Sequence, residues 1–536
     1  MRGSDSDISI SRRQLLARIG QTAGAAMMYQ AMSTLGFAAE SSYSGPIQLA
    51  NAPRNTSILI LGAGIAGLVA AYELSRAGYK VKVLEYNHRA GGRAWTLRGG
   101  DEYTELGGFK QKCEFDKGLY INPGPWRIPY HHYAMLDYAK RLKVPLEPFN
   151  QINVNAYLHS PNAFGGKPQR VRHVRADFQG NVAELLSKAT NQGQLDAELG
   201  KEDKEKLLDA LRSWGMLDRQ YRYTASPWTS GARGYDVEPG GGLMPRAVPS
   251  TPLKRDDLLQ SKLWGYLTTP IDYDLTPSMF QPVGGMDRIA LAVYREVAPL
   301  VQFAAKVTAI DQNEHGVDVS WIDASRGGET QHAKADWCLC TIPLPILAQI
   351  PVKASEPMQA AIGAVAYEAS VKIGLQMKRR FWEEDEHIYG GITYTNLPIQ
   401  QIGYPMAGMN QSGKGVLLGG YMFSANAFEF TAMTPEQRVR AAVEQGAQIH
   451  PQYHTEFENG ISVAWHRSPF TLGCFAHWDD DVRAKHYDNL CAIDGRIALA
   501  GEHTSFINGW QEGAVLSSLD TIGRMHQRIV ATRSPA

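Results

Sequence analysis

Between Ser57 and Glu85 the chain carries the parts of a phosphate-binding unit in the order that chemistry requires. Gly62-Ala63-Gly64-Ile65-Ala66-Gly67 follows the apolar run 57–61 and opens a helical pattern in which Leu68, Ala71, Tyr72 and Leu74 are apolar. The first glycine permits a tight turn, the second lets the backbone approach a pyrophosphate, and the third lets the helix pack close to the strand. Unpaired N–H groups at the start of that helix face the phosphates. Gly78 is placed to end the helix, and 79–84, with Val81 and Val83 alternating, reads as the next strand. Glu85 falls about 20 residues on, where an acid accepts hydrogen bonds from an adenosine ribose. Glycines alone would be weak evidence; strand, glycines, helix, strand and acid together predict a dinucleotide.

A second candidate is Arg127, in Gly124-Pro125-Trp126-Arg127-Ile128-Pro129. A lone arginine in a Pro-rich loop is ordinarily a surface charge. Its fork nevertheless matches a carboxylate bidentately, whereas a plain amine gives it nothing to hold. Lys372 sits in a strand pattern whose apolar face is Val371, Ile373, Leu375 and Met377, so spacing alone points it to solvent. Tyr421, in Leu418-Gly419-Gly420-Tyr421, reads by itself as core packing. His131 and His132 read as exposed loop residues, and the acidic run Glu383, Glu384, Asp385, Glu386 as a solvated turn. The five cysteines (Cys113, Cys338, Cys340, Cys474, Cys491) are too few and too scattered for a disulfide framework. No paired Cys or His spacing fits zinc, so no metal is expected.

The elements that position these residues need more than one core, because 536 residues imply two or three domains. Hydrophobic residues at 44% and charged residues at 20% are ordinary for a globular protein. Lysine plus arginine and aspartate plus glutamate balance at 54 each, which gives no reason to expect nucleic acid or an anionic membrane as partner. No later stretch approaches ~20 consecutive apolar residues, so no membrane span is expected. Residues 178–217 read as helices whose charges form a solvated face, and 226–261 as loop. Near the start, Ser11-Arg12-Arg13-Gln14-Leu15-Leu16 resembles a twin-arginine export signal, with Gly36-Phe37-Ala38 as a small-residue cleavage site. That predicts periplasmic or secreted localisation, the alternative being a cytoplasmic protein with a frayed N-terminal arm.

Past Glu85, Gly91-Gly92-Arg93 and Glu105-Leu106-Gly107-Gly108 give the chain its resemblance to the flavin amine oxidase family of monoamine, polyamine and L-amino acid oxidases. The resemblance recurs at Gln281-Pro282-Val283-Gly284-Gly285-Met286, at Val307, at Ala335-Asp336 through Thr341-Ile342-Pro343, and at Ala500-Gly501-Glu502-His503-Thr504. It closes on Gly509-Trp510-Gln511-Glu512-Gly513-Ala514. It implies FAD rather than NAD, with Gly91, Gly92 and Arg93 against the flavin and its phosphates and Val307 at the adenine. The implied fold is α/β: a Rossmann-like FAD-binding domain of the glutathione-reductase type (50–125, 280–345, 490–530) and a substrate domain (126–279, 346–489) with a mixed sheet and a helical insertion. A strand at 496–500 would bring Glu502 to the ligand edge of the sheet. The helix starting near Gly509 would turn its positive end to the charge that develops at flavin N1 and C2=O on reduction.

Within the family, the segment around Arg127 resembles that of L-amino acid oxidases, whose arginine grips the substrate carboxylate. The resemblance makes Tyr421 a second donor to that carboxylate, Lys372 the holder of a water near flavin N5, Trp510 the aromatic wall, and the Gly509 carbonyl the receiver of the amine. Gly124, Pro125 and Trp126 would join the cofactor contacts. The implied reaction is oxidation of an L-amino acid by O2 to 2-oxo acid, ammonia and hydrogen peroxide, with a broad side-chain range. A flavin monooxygenase yielding an amide, an oxidase of plain amines or polyamines, and a flavin-bound interaction protein with a dead site are the alternatives. Cys474 is a departure, because its spacing from Trp465 resembles the segment in which monoamine oxidases bond a cysteine to the flavin; a non-covalent FAD is the favoured expectation. A homodimer or higher homo-oligomer is expected, and no general base is identified.

Overall fold

The computed structural model describes residues 40–532. The twin-arginine segment and its cleavage site lie outside the described residues.

Ser57–Leu61 forms the strand expected of it, and its alternation explains the layers around it. Ile58 and Ile60 pack into one core with the helix Ile65–Ala77, while Leu59 and Leu61 pack into a second core on the opposite face. A strand buried on both faces needs parallel neighbours with crossovers covering them. The sheet has six strands, in the order Val301–Gln302, Lys80–Leu84, Ser57–Leu61, Trp337–Cys340, Ile497–Leu499, Ile493–Asp494. All pair parallel except the last. Cys338 and Cys340 serve as small apolar residues, buried in the second core.

Because Ser57–Leu61 is flanked by the strand that follows it on one side and by Trp337–Cys340 on the other, connections leave in opposite directions there. That is the crevice where ligands bind in such sheets. Gly78, at φ 104°, ends the first helix in the left-handed conformation.

A seven-stranded mixed sheet forms the second large layer, in the order Gln169–Arg170, Tyr157–His159, Ile392–Thr395, Gln401–Gly403, Gly415–Phe423, Ser370–Met377, Phe457–Ala464. Its strand Ser370–Met377 corrects the expectation for Lys372, since every residue of that strand is buried. Val371, Ile373, Leu375 and Met377 face the core of this layer. The other face is covered by the segment carrying Phe115 and Ile121, which lies about 3 Å from where a Cβ on Gly374 would sit. Alternation locates the two faces of a strand; it cannot show what a distant segment lays over the second one.

The helices Val171–Asn191 and Lys201–Trp214 match the helical reading of 178–217. The loop reading of 226–261 is corrected in part, because Pro227–Arg233 and Arg255–Ser261 are helices. Ser226 and Thr229 cap the first of these reciprocally, and Pro227 stands at its start.

The motif Glu105–Gly108 is tied to the mixed-sheet layer by a buried pair. Arg438 Nη1 and Nη2 each donate to Glu105 at 2.8 Å, and Arg438 Nε donates to the Phe430 carbonyl at 2.8 Å. Truncating one partner of such a pair strands the other in an apolar interior. Arg438→Met is expected to destabilise the protein by about 3–5 kcal/mol, read as a shift of the urea unfolding midpoint; an unshifted midpoint would show the pair to be energetically idle.

Candidate active site

The glycine turn opens the site. Gly62 adopts φ 104°, and a Cβ on Gly67 would stand 2.0 Å from the Gly62 carbonyl oxygen, so only glycine lets the helix begin this close to the strand. A Cβ on Gly64 would meet nothing, because Gly64 faces the cavity. No side chain caps the helix at Gly64, which leaves its first N–H groups available to an anion. Glu85 lines the same cavity. One of its oxygens accepts from Ala63 N at 2.6 Å and the other from Asn87 N at 2.7 Å. Burial pushes its carboxyl above the usual carboxylate range, against these bonds.

From this turn a cavity of about 1150 Å³ runs past Gly91, Gly92 and Arg93, with Val307 to one side, to Arg127, Tyr421 and Trp510. Small-molecule pockets usually enclose ~300–1,000 Å³, so this one suits a dinucleotide with a substrate beyond it. The ungated glycine turn at one end, the buried ribose-type acid and the uncapped helix start all fit FAD. Of the residues expected to hold it, Gly62, Gly64, Ala66, Glu85, Gly91, Gly92, Arg93, Gly124, Pro125, Trp126, Arg127, Val307, Glu502, Gly509, Trp510, Gln511 and Ala514 line the cavity.

Ala63, Gly67, Glu512 and Gly513 stand behind the lining residues. Ala63 is spent on backbone links to Glu85 and to Gly91. Gly67 and Gly513 are packing glycines; a Cβ on Gly513 would stand 2.0 Å from the Ile507 carbonyl. Glu512 turns away and accepts from the N–H groups of Ala134 (2.9 Å) and Met135 (2.8 Å), which open the helix Tyr133–Arg141, and from the Ser41 hydroxyl.

Arg93 and Glu502, both lining the cavity, form an ion pair at 2.7 Å. Burial is the largest single influence on the Glu502 carboxyl and would raise it, but Arg93, His503 and the Gly509 N–H together hold it below its ordinary value. Glu502 also accepts from Ala476 N and from Gly509 N, both at 3.1 Å. Arg93 donates to the Cys474 carbonyl at 2.8 Å. Cys474 lines the cavity, and burial pushes its thiol up to about 11.

At the far end Arg127 is buried, its guanidinium carbon 5.4 Å from the centre of the Trp126 ring and 5.8 Å from that of Trp510. Trp126 meets Tyr421 edge-on at 6.1 Å. Arg127, Tyr421, Trp510 and Gly509 are thus gathered at one end. Lys372 stands behind them and does not line the cavity. Its Nζ donates to the carbonyls of Gly124 and Asn122 and lies 4.3 Å from the centre of the Tyr421 ring. Burial pulls this amine down to about 7, with Arg127 adding to the fall and Cys474 opposing it.

Two residues that the sequence did not mark as site residues belong here. His132 is buried, against the exposed reading, lines the cavity and meets Trp510 edge-on at 4.9 Å. Burial, and then His131, hold its imidazole well below the ordinary range. Asp274 also lines the cavity, and burial with the charge of Asp272 lifts it to about 7 against Arg127. Two acids within an otherwise apolar stretch, 263–280, were the available signal. The acidic run goes elsewhere: Arg380 holds Glu383, Arg379 holds Glu384 and Asp385, and Arg170 holds Glu386. Among the described residues no cluster could hold a metal, and no helix is long and apolar enough to cross a membrane.

Residues 65–521 match the family model described as flavin containing amine oxidoreductase. A Bacillus subtilis (strain 168) protein provisionally named L-amino-acid oxidase YobN is 26% identical over 475 residues, covering 86% of this chain and 93% of its own. The L-amino-acid oxidase of Siganus canaliculatus is 28% identical over 473 residues, covering 87% of this chain and 84% of its own. The solved cyclohexylamine oxidase from Brevibacterium oxydans IH-35A superposes with a TM-score of 0.58 at 15% identity, over 89% of this chain and 100% of its own. At that identity the likeness speaks for the fold alone.

The Gly67 contact gives a direct test of the cradle. Gly67→Ala must push the Gly62 carbonyl aside, so purified Gly67→Ala protein is expected to carry far less FAD than the parent, read as flavin absorbance per chain. Undiminished flavin would show that the turn can yield.

Proposed function

Because the chain belongs to the flavin containing amine oxidoreductase family, whose cofactor here is FAD, we propose that it oxidises the α-amino group of L-amino acids. The observation that carries this reading is Arg127, buried at the end of the cavity between Trp126 and Trp510. A guanidinium placed in a dry aromatic slot is suited to a carboxylate, and a plain amine has none. The L-amino-acid oxidase names of the relatives support the same substrate class.

FAD, when bound, supplies the acceptor for the Cα hydrogen and passes the electrons to O2. The protein's part is placement and exclusion. Arg127 and Tyr421 hold the carboxylate, the Gly509 carbonyl receives the amine, and Trp510 supplies the aromatic wall. With both groups fixed, one enantiomer alone presents its Cα hydrogen correctly. Lys372 holds the Gly124 and Asn122 carbonyls and so braces the loop that carries Arg127. The acidic run is occupied by arginines and lines no part of the cavity, which favours a broad range of side chains.

Arg127→Ala is expected to lower kcat/KM for L-amino acids by on the order of 100-fold, about 3 kcal/mol, at unchanged flavin content. The measurement is peroxide release with the L- and D-forms of Phe, Leu, Gln, Lys, Arg and Glu and with the decarboxylated amines. Turnover of D-forms, or of the amines at matching rates, would remove the carboxylate anchor. An amide in place of the 2-oxo acid would make the enzyme a monooxygenase on the same anchor.

The flavin is proposed to be held by contacts alone. A thiol raised by burial is a poor nucleophile. Acid precipitation is expected to leave the flavin in the supernatant; a yellow pellet would instead make Cys474 the attachment point.

A further inference from the structure

Asp274 is a buried carboxylic acid that faces the substrate end of the cavity, yet its Oδ1 has no hydrogen-bond partner. His131 Nε2 lies 3.8 Å away, beyond hydrogen-bond reach. A chain of rings fixes this acid relative to the substrate wall. Tyr273, its neighbour in sequence, tilts over His131 at 4.5 Å, His131 meets His132 at 4.9 Å, and His132 meets Trp510 at 4.9 Å. The charged and titratable groups that bear on Asp274 are Asp272, which repels a charge there, Arg127, which favours one, and His131.

Arg127 and Asp274 line the same cavity, and Arg127 favours the charged form of that acid before substrate arrives. A second carboxylate brought to the same guanidinium would place two like charges beside one cation in a dry site, and they do not both stay ionised. We propose that docking of a carboxylate on Arg127 is coupled to protonation of Asp274, so that the site takes up a substrate carboxylate together with a proton. This rests on the amino-acid reading above and extends it. For an amino acid the ammonium group can supply that proton. An N–H bond breaks, an O–H bond forms on Asp274, and the substrate is left with the neutral amine that loss of its Cα hydrogen requires.

The test uses the FAD-loaded enzyme and 3-phenylpropanoate, a carboxylate with no amine and hence no turnover. Binding is followed by the flavin absorbance change across the pH range on both sides of neutrality. Asp274 sits at about 7 in the free enzyme, and an anion on Arg127 raises it further. Affinity should therefore be flat below about 7 and weaken by about tenfold per pH unit above it, as a proton must be drawn from solvent. Asp274→Asn should bind 3-phenylpropanoate with an affinity that no longer changes through that range. Lys372 also sits at about 7, so Lys372→Met is the control and should keep the slope. Calorimetry of the parent in two buffers of different ionisation heat, above pH 7, should show proton uptake and needs no variant to fold. A slope that survives in Asp274→Asn, a slope lost in Lys372→Met, or binding without proton uptake would overturn the inference while leaving Arg127 as the anchor. No binding by the parent at any pH would overturn the inference and the amino-acid reading together.

Discussion

The ion pair between Arg93 and Glu502 is the contact on which the site depends. It joins the turn that follows the first two strands to the motif at the end of the chain, 409 residues apart. A buried pair is not by that fact stabilising, because the cost of desolvating both charges offsets much of their attraction. Its value here lies in what the two side chains hold besides each other. Arg93 fastens the Cys474 carbonyl, and Glu502 fastens the N–H groups of Ala476 and Gly509. Two separate segments, 474–476 and the one that ends at Gly509, are thereby held at set positions along the cavity, and Gly509 leads directly into Trp510. Loss of either charge would leave the other stranded and release the segments that carry the aromatic wall.

A second consequence is that cofactor and substrate ends share one continuous cavity. Nothing divides the glycine turn from Arg127, so each end depends on the placement of the other. Lys372 shows how tight this is. Its amine is pulled toward neutrality by burial, and it spends its hydrogen bonds on the two carbonyls that shape the approach to Arg127. A lysine in that position acts on the geometry of the loop as well as on the charge of the site.

Much of this was legible in the residues, and the part that was not has a physical cause. The unit from Ser57 to Glu85 could be read almost residue by residue, because each step (apolar run, glycines, helical run, acid) is a local demand of backbone geometry. The closing helix was legible for the same reason; it runs Gln511–Ala531. His131 and His132 read locally as exposed, yet both are buried. Their burial comes from Tyr273, more than a hundred residues away, and from Trp510, and no local pattern encodes a cover supplied from so far. Asp274 escaped notice likewise, as did the second face of the strand bearing Lys372. The helix Pro227–Arg233 was hidden because its capping partner is Thr229, where the usual signature has Glu or Gln.

Glu512 illustrates how one charge can serve two ends at once by being absent from one of them. An acid in the first turn of a helix ordinarily complements the positive end of its own dipole. Here Glu512 reaches across instead and satisfies the first N–H groups of Tyr133–Arg141, the helix that follows the Arg127 loop. Trp510, at the head of the long C-terminal helix, makes no side-chain cap either. That helix therefore turns its start to the cavity through Gln511 and Ala514 with no side chain of its own capping it. Burial raises the Glu512 carboxyl, so the arrangement has an electrostatic cost, borne where the acid braces the loop of Arg127. The same residue thus holds in register the helix that follows the Arg127 loop.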